Sequence, residues 1–167
     1  RITLPGIYNA ERYKQTTFGI DLGSYASKVE GAELFYVAAD GKPFERMYYK
    51  NGILTLDTDS PEGLGRKKLE ATFKKGDKLI AFTATIDVCT KAIYDEIDLK
   101  DMAAIITELD GAGRYVLGDD IVCTGTYDSN IGVPFTGSFD GHGFAIYDMT
   151  TSDRDAGNRG LLGSSLA

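Results

Sequence analysis

Leu69-Glu70-Ala71-Thr72-Phe73-Lys74-Lys75-Gly76-Asp77-Lys78-Leu79-Ile80-Ala81-Phe82-Thr83-Ala84-Thr85-Ile86-Asp87-Val88 is the stretch that decides how the first half of the chain folds. Leu69, Ala71 and Phe73 alternate with Glu70, Thr72 and Lys74. After a turn at Lys75-Gly76-Asp77, Ile80, Phe82, Ala84, Ile86 and Val88 form a long stripe of period two. That period puts every second side chain on one face of a strand. Working outward, Phe18, Ile20 and Leu22 alternate with Gly19 and Asp21, and Ala32–Val37 runs into Asp40-Gly41. Phe44–Tyr49 runs into Asn51-Gly52, and Ile53–Leu56 returns. Asp-Gly and Asn-Gly are hairpin dipeptides. Short strands with a turn every ten or so residues predict a small antiparallel β-sandwich over residues 1–88.

The chain has 167 residues, 43% of them hydrophobic, which is enough to bury a core. It carries 18 Lys plus Arg against 25 Asp plus Glu, a net charge of −7, which argues against a nucleic-acid partner. No apolar run approaches the ~18–20 residues of a membrane span. The charge is unevenly placed. Residues 1–88 hold 13 basic and 12 acidic side chains, and residues 89–167 hold 5 and 13. This asymmetry marks a domain boundary near Cys89–Ile93. A chain beginning at Arg1 reads either as processed by signal-peptide removal or as an excised fragment. Cys89 and Cys123 are too few for a disulfide scaffold and read as buried thiols, with a bridge between them as the alternative.

Beyond the boundary the pattern changes. Leu99, Met102, Ala103 and Ile106 fall on one helical face, with Met102 as core filler. Asp95 is placed to cap the helix, Asp98 three residues on, and Gly111 and Gly113 to stop it. Short strands follow at Tyr115–Leu117, Ile121–Cys123, Phe135–Phe139 and Phe144–Ile146, broken by glycines. Gly141 is expected at positive φ in a tight corner, and Phe135, Phe139, Phe144 and Ile146 are expected to point into a narrow core.

Tyr115-Val116-Leu117-Gly118-Asp119-Asp120-Ile121, then Phe135-Thr136-Gly137-Ser138-Phe139-Asp140-Gly141-His142-Gly143-Phe144-Ala145-Ile146, then Gly160-Leu161-Leu162-Gly163 resembles the GLUG-type module of bacterial surface proteins. The likeness covers about residues 91–163 and includes the helix around Ile97-Asp98-Leu99. His142 and Phe144 stand where that module more often has Asn and His, and Leu162 stands in place of an aromatic. The resemblance implies the start of a right-handed parallel β-helix, often preceded by immunoglobulin-like repeats on large exported proteins. Asp21–Tyr25 and Gly31-Ala32 are similar to such repeats. The expected fold is therefore mostly β: an immunoglobulin-like sandwich over 1–88, then a capping helix and about one coil of β-helix over 89–167.

No catalytic, cofactor or metal site is assigned. His142, the one histidine, lacks a G-x-S-x-G, H-E-x-x-H or C-x-x-C companion and reads as a turn residue beside Asp140. Asp119, Asp120, Asp140 and Asp148 are a weaker alternative as glycosidase acids, and Asp120 and Asp140 read better as acceptors for corner amides. Asp153–Asn158 has oxygen ligands at alternate positions but lacks the later Glu of a calcium loop. Tyr36, Tyr48 and Tyr49 are candidate carbohydrate contacts. In a strand Tyr48 and Tyr49 face opposite ways, so one of them belongs to the core.

The expected function is that of a non-catalytic structural or adhesive module, extracellular or at the cell surface, whose partners are other surface proteins or glycans. A carbohydrate-binding module attached to a polysaccharide-degrading enzyme is the alternative. With the helix covering one end of the coil, the open edge beside Phe139, Phe144, Ile146 and Leu161 is expected to meet another copy or a folded-back tail, unless Thr150–Asn158 shields it.

Overall fold

The computed structural model describes residues 1–127, 131–151 and 161–162. It is mostly β, with several sheets, and divides into two compact units, Arg1–Val88 and Cys89–Ala167. No helix among the described residues is long and apolar enough to cross a membrane.

The first unit runs β1 (Ile2–Glu11), β2 (Thr17–Asp21), a 3-10 segment (Gly23–Val29), β3 (Glu33–Ala39) and β4 (Lys42–Pro43). It continues with β5 (Met47–Lys50), β6 (Ile53–Asp57), β7 (Gly65–Lys75) and β8 (Lys78–Cys89). One sheet has the order β1-β8-β7-β3-β4 and the other the order β2-β6-β5. The alternating stretch forms the β7–β8 hairpin, antiparallel from Gly65 opposite Val88 to Lys75 opposite Lys78. Two hairpins close through residues with φ positive at both turn positions, Asp40 (49°) with Gly41 (81°) and Asn51 (51°) with Gly52 (79°). Such turns match the twist of the strands they join.

Both sheets contribute to one core. Ile20, Leu54 and Leu56 meet Val37, Leu69, Ala71, Phe73, Phe82, Ala84 and Ile86, all buried. Phe73 lies edge-on to Phe82 at 5.8 Å. Each of the larger side chains contributes about 1.5–3 kcal/mol by leaving water. The segment expected as one strand over Phe44–Tyr49 is a strand only from Met47. Phe44 instead enters the core, and its N–H donates to the Val37 carbonyl.

The second unit begins with β9 (Lys91–Ile93) and α1 (Glu96–Glu108). Two strings of short strands follow: β10 (Arg114–Leu117), β11 (Ile121–Val122) and β12 (Thr126–Tyr127), then β13 (Ser138–Asp140), β14 (Ile146–Tyr147) and β15 (Thr150–Thr151). Every strand of the second string lies parallel to its counterpart in the first: Arg114 with Ser138, Ile121 with Ile146, Thr126 with Thr150. The partners are 24, 25 and 24 residues apart. The β9–β10 pair has the same spacing, with Lys91 opposite Tyr115. Arg114–Val116 and Ser138–Asp140 share position, with Tyr115 opposite Phe139.

α1 occupies the span between β9 and β10. Asp95 caps it, its carboxylate accepting the Asp98 N–H at 2.8 Å, while Asp98 accepts the Tyr94 N–H at 3.0 Å. Leu99, Met102, Ala103 and Ile106 are buried as their spacing requires. The stop is made differently from the expectation. Asp110 takes the left-handed position (φ 54°), with Asp110 N–H on Thr107 O and Gly111 N–H on Ile106 O, and Gly111 only follows it. The first-turn Glu96 reaches the corner after β11, where its carboxylate accepts from Thr124 N–H (2.5 Å), Thr124 Oγ1 (2.9 Å) and Gly125 N–H (3.3 Å).

Two corner expectations are corrected. Gly141 is not at positive φ; the turn from Gly141 to Phe144 is carried by His142 (φ 51°) and Gly143 (φ 82°), closed by Phe144 N–H on Gly141 O. Phe144 is 40% exposed rather than in the core, and of the four expected core residues only Phe135 is fully buried. Cys89 and Cys123 are both buried thiols, and the bridge between them does not form.

Gly137 has little freedom to change. A Cβ there would lie 2.0 Å from the Gly113 carbonyl oxygen, whereas at Gly141 the nearest atom is 3.6 Å away. Gly137→Ala is expected to cost the second unit about 2–4 kcal/mol by forcing β10 and β13 apart, and Gly141→Ala less than about 1. Amide exchange at Ser138–Asp140 checks this: it should accelerate in the first variant and not in the second.

The Glu96 carboxyl is held below the usual carboxylate range, chiefly by the Thr124 N–H and hydroxyl, with Gly125 N–H and Lys100 adding. The folded state therefore favours the anion, and its stabilisation is present above the ordinary Glu pKa of about 4.3 and lost as pH falls through the lower folded value. Thermal midpoints of wild type and Glu96→Gln should differ at neutral pH and converge as pH falls below the ordinary carboxylate range.

Candidate functional site

Strand alternation explains where the three candidate tyrosines go. Tyr48 and Tyr49 are neighbours on β5. Tyr48 points out and is 59% exposed, while Tyr49 turns inward, its ring edge-on to Phe73 at 4.9 Å. Burial, and secondarily the nearby Asp21 charge, pushes the Tyr49 phenol upward in pKa. Tyr36 is on β3, in the other sheet. The structure therefore does not bring the three together.

It brings Tyr36 to residues that the alternation pattern conceals. The β3–β7 ladder slips between Leu34, opposite Phe73, and Tyr36, opposite Thr72. Phe35 is the extra residue. In a regular strand Phe35 and Tyr36 would face opposite ways, but at this bulge both are exposed, at 58% and 37%. Lys74 Nζ lies 5.5 Å from the Phe35 ring centroid. Across β7, Lys74 is opposite Leu79 of β8 and Thr72 is opposite Ala81. Leu79 is itself 58% exposed. Phe35, Tyr36 and Leu79 thus share the outer face of one sheet, with Thr72 and Lys74 between them. Thr83 of β8 extends that face to Thr3 of β1, their hydroxyls 3.3 Å apart. Leu79 and Ala81 of this face also line a groove of about 390 Å³, together with Arg1, Ile2, Lys28, Lys78 and Ile80. Clustered exposed apolar side chains of this kind mark contact surfaces. Only the two consecutive aromatics at positions 35 and 36 could have signalled it.

Three of the residues weighed for catalysis take part in corners. Asp120 accepts the Ala145 N–H at 2.9 Å, tying the first strand string to the second. Asp140 accepts the His142 N–H at 2.9 Å and the Arg114 guanidinium at 3.2 Å. His142 carries a left-handed turn position. Asp120 and Asp140 thus serve corner amides. The calcium-like Asp153–Asn158 text, Gly160 and Gly163 lie outside the described residues, as does most of the Thr150–Asn158 segment considered as a shield.

Compared with known proteins, the chain matches no family model, and neither a curated protein nor a solved structure is significantly similar to it.

Proposed function

We propose that this chain is a non-catalytic structural and adhesive module of an exported bacterial surface protein. Its first unit is an immunoglobulin-like sandwich, and its second is the helix-capped start of a right-handed parallel β-helix. The observation that carries the reading is the constant return of 24 or 25 residues that pairs three successive strands with three others. A circuit that repeats at fixed length and stacks in parallel is built to be extended, and its surfaces are scaffolding.

The strand orders of the first unit support the other half of the reading. Immunoglobulin-type domains place strands B, E and D in one sheet and C, F and G in the other. Taking β2, β6 and β5 as B, E and D, and β3, β7 and β8 as C, F and G, reproduces both orders. β4 then adds beside β3, and β1 runs alongside β8. Residues shared with the GLUG-type pattern have matching structural tasks: Tyr115 is buried with its hydroxyl donating to Ala112 O, Asp120 secures Ala145, and Gly143 completes a corner. The outer face around Phe35 and Tyr36 supplies the adhesive surface, and it is also what favours the second reading, a carbohydrate-binding module appended to a polysaccharide-degrading enzyme. Self-association through β13, β14 and β15, the last strand of each pair, belongs to the same proposal.

Inserting a second copy of residues 114–137 after Gly137 adds one whole circuit, and inserting only half of that segment adds an incomplete one. The first variant should fold and lengthen by about 4.8 Å, the spacing of paired strands, while the second should unfold the second unit. Circular dichroism and small-angle scattering read both. Incubation with a panel of polysaccharides should leave their chain lengths unchanged; shortened products would contradict the non-catalytic reading.

A further inference from the structure

The groove beside Leu79 is positive. Arg1, Lys28 and Lys78 line it and no carboxylate does, in a unit whose 13 basic and 12 acidic side chains otherwise nearly balance. Lys74, opposite Leu79 in the ladder, and Lys75, opposite Lys78, extend the positive rim. The carboxylates of this region, Glu30, Glu33 and Asp77, do not line the groove; Glu33 lies opposite Lys74. A concave surface with cations of one sign raises the local concentration of anions. Next to it, within two strand spacings (about 10 Å), the same sheet face exposes Phe35 and Tyr36 with the Thr72 hydroxyl between Tyr36 and Ala81.

We infer that this groove and the adjoining aromatic edge bind an acidic polysaccharide, the Arg1, Lys28 and Lys78 cations pairing with its carboxylates while Phe35 and Tyr36 take the apolar faces of its sugar rings. Cations at the groove and rings beyond it suit a polymer whose charges are separated by apolar ring faces. Duplex nucleic acid keeps its base faces stacked away from an aromatic edge, whereas a polyuronate exposes an apolar ring face beside each charge. This inference rests on the adhesive reading above and names the ligand class that its surface takes.

Binding of polygalacturonate to the full chain, measured by calorimetry at low and moderate salt, tests it. Its methyl ester keeps the same polymer and removes the charge; double-stranded DNA keeps the charge and removes the faces offered for stacking. Polygalacturonate should bind, weaken as salt screens the charges, and exceed both comparators at least tenfold. The double variant Lys28→Glu, Lys78→Glu should lose at least tenfold, and Lys28→Ala, Lys78→Ala should lose less. Lys50→Glu, on β5 in the other sheet, should bind as wild type does. Thermal midpoints of the variants, all changed at exposed lysines, confirm that they are folded. Equal binding by the groove reversal and Lys50→Glu, tighter binding of DNA, or no binding of polygalacturonate overturns the inference. Equal binding of the methyl ester that is lost in Phe35→Ala also overturns it, yet leaves the adhesive surface standing.

Discussion

Short parallel strands are poor at holding themselves together, and the second unit consists of little else. β11, β12, β14 and β15 are two residues long, and each satisfies its backbone groups only if the chain arrives beside its partner at the right residue. The circuit length of 24 or 25 residues meets this condition three times in succession. α1 obeys the same condition: it fits the interval between β9 and β10, so a 13-residue helix stands where later circuits place strands. The Glu96 carboxylate then fastens that helix to the corner at Thr124 and Gly125.

Corners are the second requirement of such a circuit, and two kinds of residue build them. Gly137 lets the second string approach the Gly113 carbonyl more closely than a Cβ would allow. Asp120 and Asp140 use short carboxylates to take up amides that no strand partner reaches. His142 belongs to this group through its backbone, which adopts positive φ with its N–H held by Asp140. Asp120, Asp140 and the His142 backbone are therefore all engaged at corners.

Hairpins and the helix were legible because their signals are local. Asp40-Gly41 and Asn51-Gly52 announce their turns, the stripe from Ile80 to Val88 announces its face, and Asp95 announces the start of α1. β1 was not legible, since Pro5-Gly6 interrupts its text and its position beside β8 is a long-range matter. The exact register of the parallel pairs was hidden because parallel pairing demands equal spacing and not equal residues. Gly141 was assigned the wrong task because glycine content alone does not say which corner residue turns left-handed. The aromatic edge was missed for a related reason: a one-residue bulge at Phe35 breaks the alternation by which strand faces are read. The candidate surface rests on that bulge.

The parallel 24-residue register is the claim on which the rest stands, and cross-strand nuclear Overhauser contacts measure it directly. The account predicts parallel-strand contacts linking Arg114 with Ser138, Ile121 with Ile146, and Thr126 with Thr150. Contacts of antiparallel type, or pairings offset by several residues from these, would contradict it.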